Sequence, residues 1–325
     1  MKLKSLGERE LIALIRQEFS GRRKDILLGI GDDAAVLRPG KYFSVITKDL
    51  LVENVDFIRR LHPAFYIGRK SLNVNLSDIA AMGAAPKYAL LGLGLPRDLS
   101  VEWIQEFLAG FKSAARRERV ALVGGDISKA SKITISVTVI GEGQTIVRRD
   151  GARSGDLVFV SGTLGDAKLG FMLMNRGATL GRDRITDAAL RAFLDPVPRV
   201  ALGQKISGGK IASSMIDTSD GLSVDLMHLC EESGTGAEID LTELPLSAGM
   251  KAFGGRNAFR YALHGGEDFE LLFTVRPRKI KAVAGLQRIH KITPIGRIIR
   301  EKGIFAVDRR GRRMPLAVRG YEHFK

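Results

Sequence analysis

Ala212-Ser-Ser-Met-Ile-Asp-Thr-Ser-Asp-Gly-Leu222 runs from a short β-prone segment into two aspartates and a glycine, and a helical pattern from Leu222 to Glu232 follows. A strand that ends on carboxylates at the mouth of a helix is the repeating unit of a layered α/β structure. The unit recurs. Tyr42–Thr47 reads as a strand delivering Thr47-Lys-Asp49, and Val120–Val123 as a short buried strand running into Gly124-Gly-Asp126. Three more acidic stretches join them: Gly29-Ile-Gly-Asp-Asp-Ala-Ala35, Asn75-Leu-Ser-Asp78 and Gly265-Gly-Glu-Asp268. Any one of these reads equally well as an Asp-rich turn capping a helix. Their recurrence points to a shared cleft.

Working outward, residues 8–19 have apolar positions at helical spacing, and a long helix after Pro63 reaches about Ala81 with Leu72, Leu76 and Ile79 inward. Asn73, Ser77 and Asp78 gather oxygen-bearing side chains near one surface of that helix. Lys87–Leu95 is a strand apolar on both faces, Val101–Arg117 an amphipathic helix, and Ile133–Ile140 a cleanly alternating strand. The pattern breaks at Arg148-Arg-Asp-Gly-Ala-Arg-Ser-Gly155, which sets an expected boundary between domains 1–149 and 150–325. The second half restarts with strand 156–161, helix 200–207 and the opening unit, then alternates helix 257–264, strand 269–275, helix 277–288 and strand 292–299.

The chain of 325 residues has ordinary hydrophobic and charged fractions for a globular protein, at 45% and 27%. No 18-residue apolar run and no signal-peptide core occur, and the single cysteine, Cys230, sits in a helical pattern as a buried thiol. The expectation is a reducing cytoplasm, with no membrane. A formal charge of +15 raises nucleic acid as a partner. Against it, the basic residues are dispersed and aromatics for base stacking make up only 6%. The densest basic cluster, Arg309-Arg-Gly-Arg-Arg313, reads as a solvated turn between short strands.

No Gly-x-x-x-x-Gly-Lys-Ser/Thr loop and no Gly-x-Gly-x-x-Gly turn are present, and the five histidines lack zinc spacing. What the chain offers is aspartate, hydroxyl and amide oxygen. Such hard donors suit magnesium, which keeps several waters and binds substrate phosphates.

Taken together, the pattern resembles the thiamine-monophosphate kinase family, of the superfamily that includes aminoimidazole-ribonucleotide synthetase. The matching words are Gly29–Ala34, Thr47-Lys-Asp-Leu-Leu-Val-Glu-Asn-Val-Asp-Phe57, Asn73-Val-Asn-Leu-Ser-Asp-Ile-Ala-Ala-Met-Gly-Ala84, Gly124-Gly-Asp126, Asp217–Leu222, Gly265-Gly-Glu-Asp-Phe-Glu-Leu271 and Gly320-Tyr-Glu-His-Phe324. They span nearly the whole chain, and the last separates this family from its relatives.

The resemblance implies ATP-dependent phosphorylation of thiamine monophosphate to thiamine diphosphate, with ATP as co-substrate and several magnesium ions. By position, Asp33, Asp49, Asp78, Asp126 and Asp217 would hold magnesium against ATP phosphates, Asp220 a further ion, and Thr47 and Lys48 also fall at metal positions. Asp33, Asp126, Arg149 and Asp217 would carry the catalytic role. Gly125, Asp126, Arg149 and Ser219 match nucleotide contacts, and Asp56, Glu267 and Tyr321 match the thiamine-phosphate side. Two positions depart from the pattern. Many members carry His where Asp56 stands, and a hydroxyl residue where Lys48 stands; an ammonium cannot ligate metal, which leaves its backbone carbonyl or nothing. Tyr321 offers a ring for stacking on thiamine, although a C-terminal tyrosine packed on its own domain is as common.

The resemblance also implies a homodimer, in which a four-stranded N-terminal sheet closes a barrel with its copy while the C-terminal half forms a mixed sheet flanked by helices. The strand Ala89–Leu95 fits that expectation. It sets Ala89, Leu91, Leu93 and Leu95 on one face and Leu90, Gly92 and Gly94 on the other, and both need covering. Leu93→Glu is expected to break the pairing. The alternative cover is the second domain of the same chain. Among relatives, selenophosphate chemistry would need a reactive N-terminal Cys or selenocysteine and hydrogenase maturation a C-terminal cysteine, and neither is here. The purine-pathway ligase remains the alternative enzyme, and a basic nucleic-acid-binding module the alternative from another class.

Overall fold

The computed structural model describes residues 8–18, 24–38 and 40–320. Helix α1 (Glu8–Glu18) leads to two three-residue strands, β1 (Ile26–Leu28) and β2 (Ala35–Leu37). Then come β3 (Phe43–Val52), α2 (Ala64–Ala81), β4 (Ala85–Leu95), α3 (Val101–Glu118), β5 (Ala121–Lys129) and β6 (Thr134–Gly143). The strands form one sheet in the order β1-β2-β3-β6-β4-β5. The expected four strands are its long ones, extended at one edge by the two short strands.

Two strands run well past the acidic words expected at their ends. β3 pairs with β6 without interruption from Phe43↔Gly143 to Val52↔Thr134, so Thr47 and Asp49 sit mid-strand. β5 runs parallel to β4 through Lys129, which places Gly124-Gly-Asp126 inside a strand instead of at its end. The period of two then sorts the side chains. Val45, Thr47 and Leu51 are buried on the inner face of β3, while Lys48 and Leu50 are exposed on the outer face. Across the sheet, Leu50 pairs with Ser136, Ser136 with Gly92, and Gly92 with Asp126. Laterally paired residues share a face, so Asp126 lies on the outer face, opposite Thr47 and Asp49.

The inner face is covered by α2 and α3. These helices cross at two glycines: a Cβ at Gly68 would lie 2.0 Å from the Phe107 carbonyl oxygen, and one at Gly110 1.8 Å from that of Phe65. Leu93 packs in this core at 8% exposure, whereas Leu90 on the other face is 39% exposed. The expectation that Leu93→Glu would report on dimerisation is therefore corrected. Leu93 faces its own chain's helices, and the open face is that of Leu90, Gly92 and Gly94.

The second half contains β7 (Leu157–Ser161), α4 (Asp166–Asn175), α5 (Arg184–Leu194), α6 (Val200–Gly208), β8 (Ser214–Asp217), α7 (Leu222–Ser233) and β9 (Gly236–Asp240). It continues with α8 (Ala248–Phe253), α9 (Ala258–His264), β10 (Leu271–Val275), α10 (Ile280–Gln287), β11 (Ile292–Ile299), β12 (Gly303–Val307) and β13 (Arg313–Pro315). Its mixed sheet has the order β13-β12-β9-β11-β7-β10-β8, with β12 parallel to β9 and the other pairs antiparallel. Arg309–Arg313 does join two short strands, as expected. Helix α5 and strand β9 go beyond the elements that periodicity suggested.

One hydrophobic core joins the two halves: Phe159, Leu202, Met215 and Phe273 belong to the same cluster as Leu72, Leu76 and Ile79 of α2. Cys230 is buried at 2% exposure, and burial pushes its thiol up to about 12. Among the described residues no helix is long and apolar enough to cross a membrane.

Candidate active site

Helix α2 is the axis of the site. Its Ser77 donates a 2.5 Å hydrogen bond to Asp217 Oδ2 at the end of β8, and its Asp78 accepts one of 2.5 Å from Thr47 on β3. Asn75 accepts from the Asp49 backbone N–H at 3.1 Å. A helix apolar on the Leu72–Leu76–Ile79 side thus turns a polar stripe toward both sheets. Asn73 departs from the expected grouping: it donates to Asp195 and accepts from Arg117, instead of bonding to Asp78 or Asp217.

Asp33, Asp78 and Asp217 converge, with one carboxylate oxygen from each lying within 4.8 Å of the others. Asp33 arrives from the 29–34 turn, where Arg149 Nη2 donates to it at 2.5 Å and Asp32 accepts from the Arg149 backbone N–H at 3.2 Å. One cation among these carboxylates leaves the balance negative. Burial first, and then the neighbouring Asp33, push Asp217 up to about 8 and Asp32 up to about 7. Burial and Asp56 push Asp49 up to about 6, while burial and three carboxylates hold Asp78 well above the usual range. Asp33 Oδ2 is buried with no hydrogen-bond partner. A buried oxygen without a donor, in a cluster that repels itself, fits a hard divalent cation.

Beside this cluster opens a cavity of about 430 Å³. Asp49 and Asp78 line it from the carboxylate side, Ser219 and Asp220 from the loop after β8, and Asp56, Lys70 and Glu267 from beyond. Phe171 and Phe193 add an aromatic wall. The Gly265–Asp268 loop is tied to the Asp217 loop by the Glu267 N–H donating to the Ser219 carbonyl at 2.7 Å. Asp268 itself serves the fold, accepting from the Gly165 and Ala167 backbone N–H groups at the start of α4.

The expected site residues therefore divide. Asp33, Thr47, Asp49, Asp78, Arg149, Asp217, Ser219 and Asp220 gather around the cluster and cavity mouth, and Asp56 and Glu267 line the same cavity. Asp126 and Lys48 do not join them, because both belong to the outer face of the sheet. Gly125 leaves no room for a side chain, since a Cβ there would meet the Leu91 carbonyl oxygen at 1.9 Å. Tyr321 lies outside the described residues; the adjacent Gly320 is packed against Val224 and the Asp220 carbonyl.

Residues 31–142 match the AIR synthase related protein N-terminal domain, and residues 153–309 the corresponding C-terminal domain. A thiamine-monophosphate kinase of Aquifex aeolicus is 38% identical over 332 aligned positions, covering 100% of both chains. The chain belongs to the thiamine-monophosphate kinase family. The family member of Escherichia coli K12 is 35% identical over 98% of each chain. Among solved structures, AaThiL complexed with AMPPCP and TMP superposes with a TM-score of 0.89 at 38% identity, over 99% of each chain. Within this family chain, Lys70 and the Phe171–Phe193 wall extend the site beyond the motifs, and Asp32, inside the 29–34 motif but without an expected role, joins it. In the sequence Lys70 is one of two adjacent basic residues, Arg69 and Lys70, and nothing local marks it out.

Proposed function

We propose that this chain transfers the γ-phosphoryl group of ATP to the phosphate of thiamine monophosphate, releasing ADP and thiamine diphosphate. The observation that carries the reading is the junction of an oxygen-only carboxylate cluster with a cavity walled by Phe171, Phe193, Asp56 and Glu267. One half suits a polyphosphate with its metal, the other a cationic, aromatic acceptor. The bond between the γ-phosphorus and its bridging oxygen breaks as a bond to an acceptor phosphate oxygen forms.

That oxygen belongs to a phosphate whose second pKa is about 6, so it is mostly ionised at neutral pH and needs no general base. The site's poverty in histidine is consistent with this. Asp33, Asp78 and Asp217 would hold magnesium, with Thr47, Asp49 and Asp220 beside them. Bound magnesium neutralises phosphate charge and favours in-line attack. Arg149 keeps Asp33 oriented and adds positive charge, and Ser77 orients Asp217. Asp56 and Glu267 would serve the thiamine moiety and Ser219 and Gly125 the nucleotide, and Tyr321 is assigned to the substrate side from the family motif alone.

The working unit is a homodimer. β5 is an edge strand exposed along its whole length, and Leu122, Val123 and Ile127 on it are 48%, 57% and 71% exposed. Leu50, Tyr88 and Leu90 add exposed apolar side chains on the outer face of the same sheet. An apolar, unpaired edge of this length invites a second copy. Pairing through the outer face gives Asp126 its role, since a residue on that face can serve the partner's site. The two halves divide at 149/150 into a nucleotide- and metal-binding, dimer-forming unit and a unit that completes both sites, working in the cytoplasm.

Purified chain mixed with ATP, magnesium and thiamine monophosphate should form thiamine diphosphate and ADP in equal amounts. ADP release without thiamine diphosphate would overturn the assignment.

A further inference from the structure

Lys70 is a cation built into the wall of the cavity. It lies on α2 with its side chain only 6% exposed, and its Nζ donates to Glu267 Oε1 at 2.6 Å. The same ammonium sits 4.3 Å from the centroid of the Phe193 ring, which α5 supplies. Phe193 is in turn braced edge-on by Phe171, with ring centroids 5.4 Å apart. Two elements distant in sequence thus fix one nitrogen.

Stability does not account for this arrangement. Glu267 is 39% exposed. An ion pair with one open partner returns little net energy, while burying the ammonium costs desolvation. Glu267 is also held in the left-handed region at φ +61, after Gly266 at +69 and two residues before Phe269 at +49. A bulky residue stays there only where its surroundings over-determine it. The backbone N–H to Ser219 is one such tie and Lys70 is the other. With Oε1 engaged and the side chain partly open, the carboxylate keeps one side toward the cavity.

We propose that Lys70 is a positioning residue for the acceptor substrate. It fixes the Glu267 carboxylate against the cavity so that its open side meets the N–H donors or positive charge of a cationic aromatic ligand. The inference rests on the proposed kinase reading and assigns Lys70 no contact with the transferred phosphoryl group. Phe193 holds the ammonium in place, and Lys70 acts through Glu267.

The test compares Lys70→Met, Glu267→Gln and the double variant with wild type, using thiamine monophosphate and ATP as varied substrates. Titration calorimetry with thiamine monophosphate and magnesium supplies an affinity that does not depend on turnover. Lys70→Met should raise the Michaelis constant and the dissociation constant for thiamine monophosphate about tenfold, the scale of one lost charged contact. The constant for ATP should stay within about twofold, and the double variant should be no worse than the poorer single one. If Lys70→Met does not fold, Lys70→Ala, which likewise removes the N–H donor to Glu267, takes its place under the same criterion. Unchanged thiamine-monophosphate constants, equal losses for both substrates, or multiplicative effects in the double variant overturn the inference. A wild type that neither binds nor phosphorylates thiamine monophosphate overturns the kinase reading beneath it.

Discussion

Ser77 and Asp217 are 140 residues apart in sequence and joined by a 2.5 Å hydrogen bond, both of them buried. The bond ties the central helix of the first half to the last residue of a strand in the second. It also decides which oxygen of Asp217 remains for the cluster with Asp33 and Asp78. Ser77→Ala removes the donor and leaves a buried carboxylate less satisfied, a loss of about 1–3 kcal/mol. The expected outcome is a lower melting temperature together with a raised magnesium requirement for turnover. A variant that melts earlier but needs no more magnesium would limit Ser77 to the fold.

The carboxylate cluster makes the metal-free protein sensitive to alkali. Asp49, Asp32 and Asp217 are pushed up to about 6, 7 and 8 from 3.8, with burial the leading cause in each. An acid with a raised folded pKa keeps its proton after the unfolded chain has lost it. Stability therefore falls as pH rises from about 4 to about 8 and levels off above. Chelated protein should melt several degrees higher near pH 5.5 than near pH 8, a difference that Asp217→Asn reduces. Magnesium should restore the loss near pH 8. Calorimetry showing a flat profile, or a rise toward pH 8, would contradict the cluster's burden of negative charge.

Asp56 accepts a 2.7 Å hydrogen bond from the Val52 backbone N–H and lines the cavity. Asp56→Ala should raise the Michaelis constant for thiamine monophosphate more than that for ATP, by about five- to tenfold against less than twofold. Equal changes would assign Asp56 to the turn it closes.

Where expectation and structure agree, the information was local. The helix after Pro63 and the strand–Asp–helix unit at 212–222 declare themselves by period and punctuation, and the Asp33, Asp78 and Asp217 words each sit at an element's polar end. What was not legible depended on which face a strand turns inward. Asp126 and Asp217 look alike as words, yet the β4–β5 register sends Asp126 to the outer face. Leu90 and Leu93 are equally apolar, and only the helices above the sheet distinguish them. Lys70 was hidden because its partner lies 197 residues away.

Asp126 supplies a test that separates the two faces. Asp33→Asn and Asp126→Asn should each cut turnover about 100-fold or more, as removal of a group that holds charge in phosphoryl transfer does. Asp126 is exposed on its strand, so its replacement should leave melting unchanged. If Asp126 serves the partner's site, mixing the two inactive variants under subunit exchange restores activity. Each mixed dimer then has one site with both residues intact and one with neither. Failure of well-folded, exchanged mixtures to regain activity would confine Asp126 to its own chain.

The dimer itself is tested at the face the sheet leaves open. Leu90 is 39% exposed and Tyr88 46%, and both lie on the outer face of β4, next to the exposed edge strand β5. A two-fold interface places a substituted charge twice and opposes it to itself. Leu90→Glu should therefore give a monomer that melts cooperatively and lacks activity. Leu93→Glu instead buries an unpaired carboxylate beneath α2 and α3, and should lose the fold. Fully burying a leucine is worth about 1.5–3 kcal/mol, and a buried charge costs more. The pair of variants separates failure to associate from failure to fold, which a single substitution on this strand would confuse. Size exclusion with light scattering is the measurement. A 35.5 kDa species for the active wild type would refute the dimer. A Leu90→Glu variant that remains dimeric would move the interface to another surface.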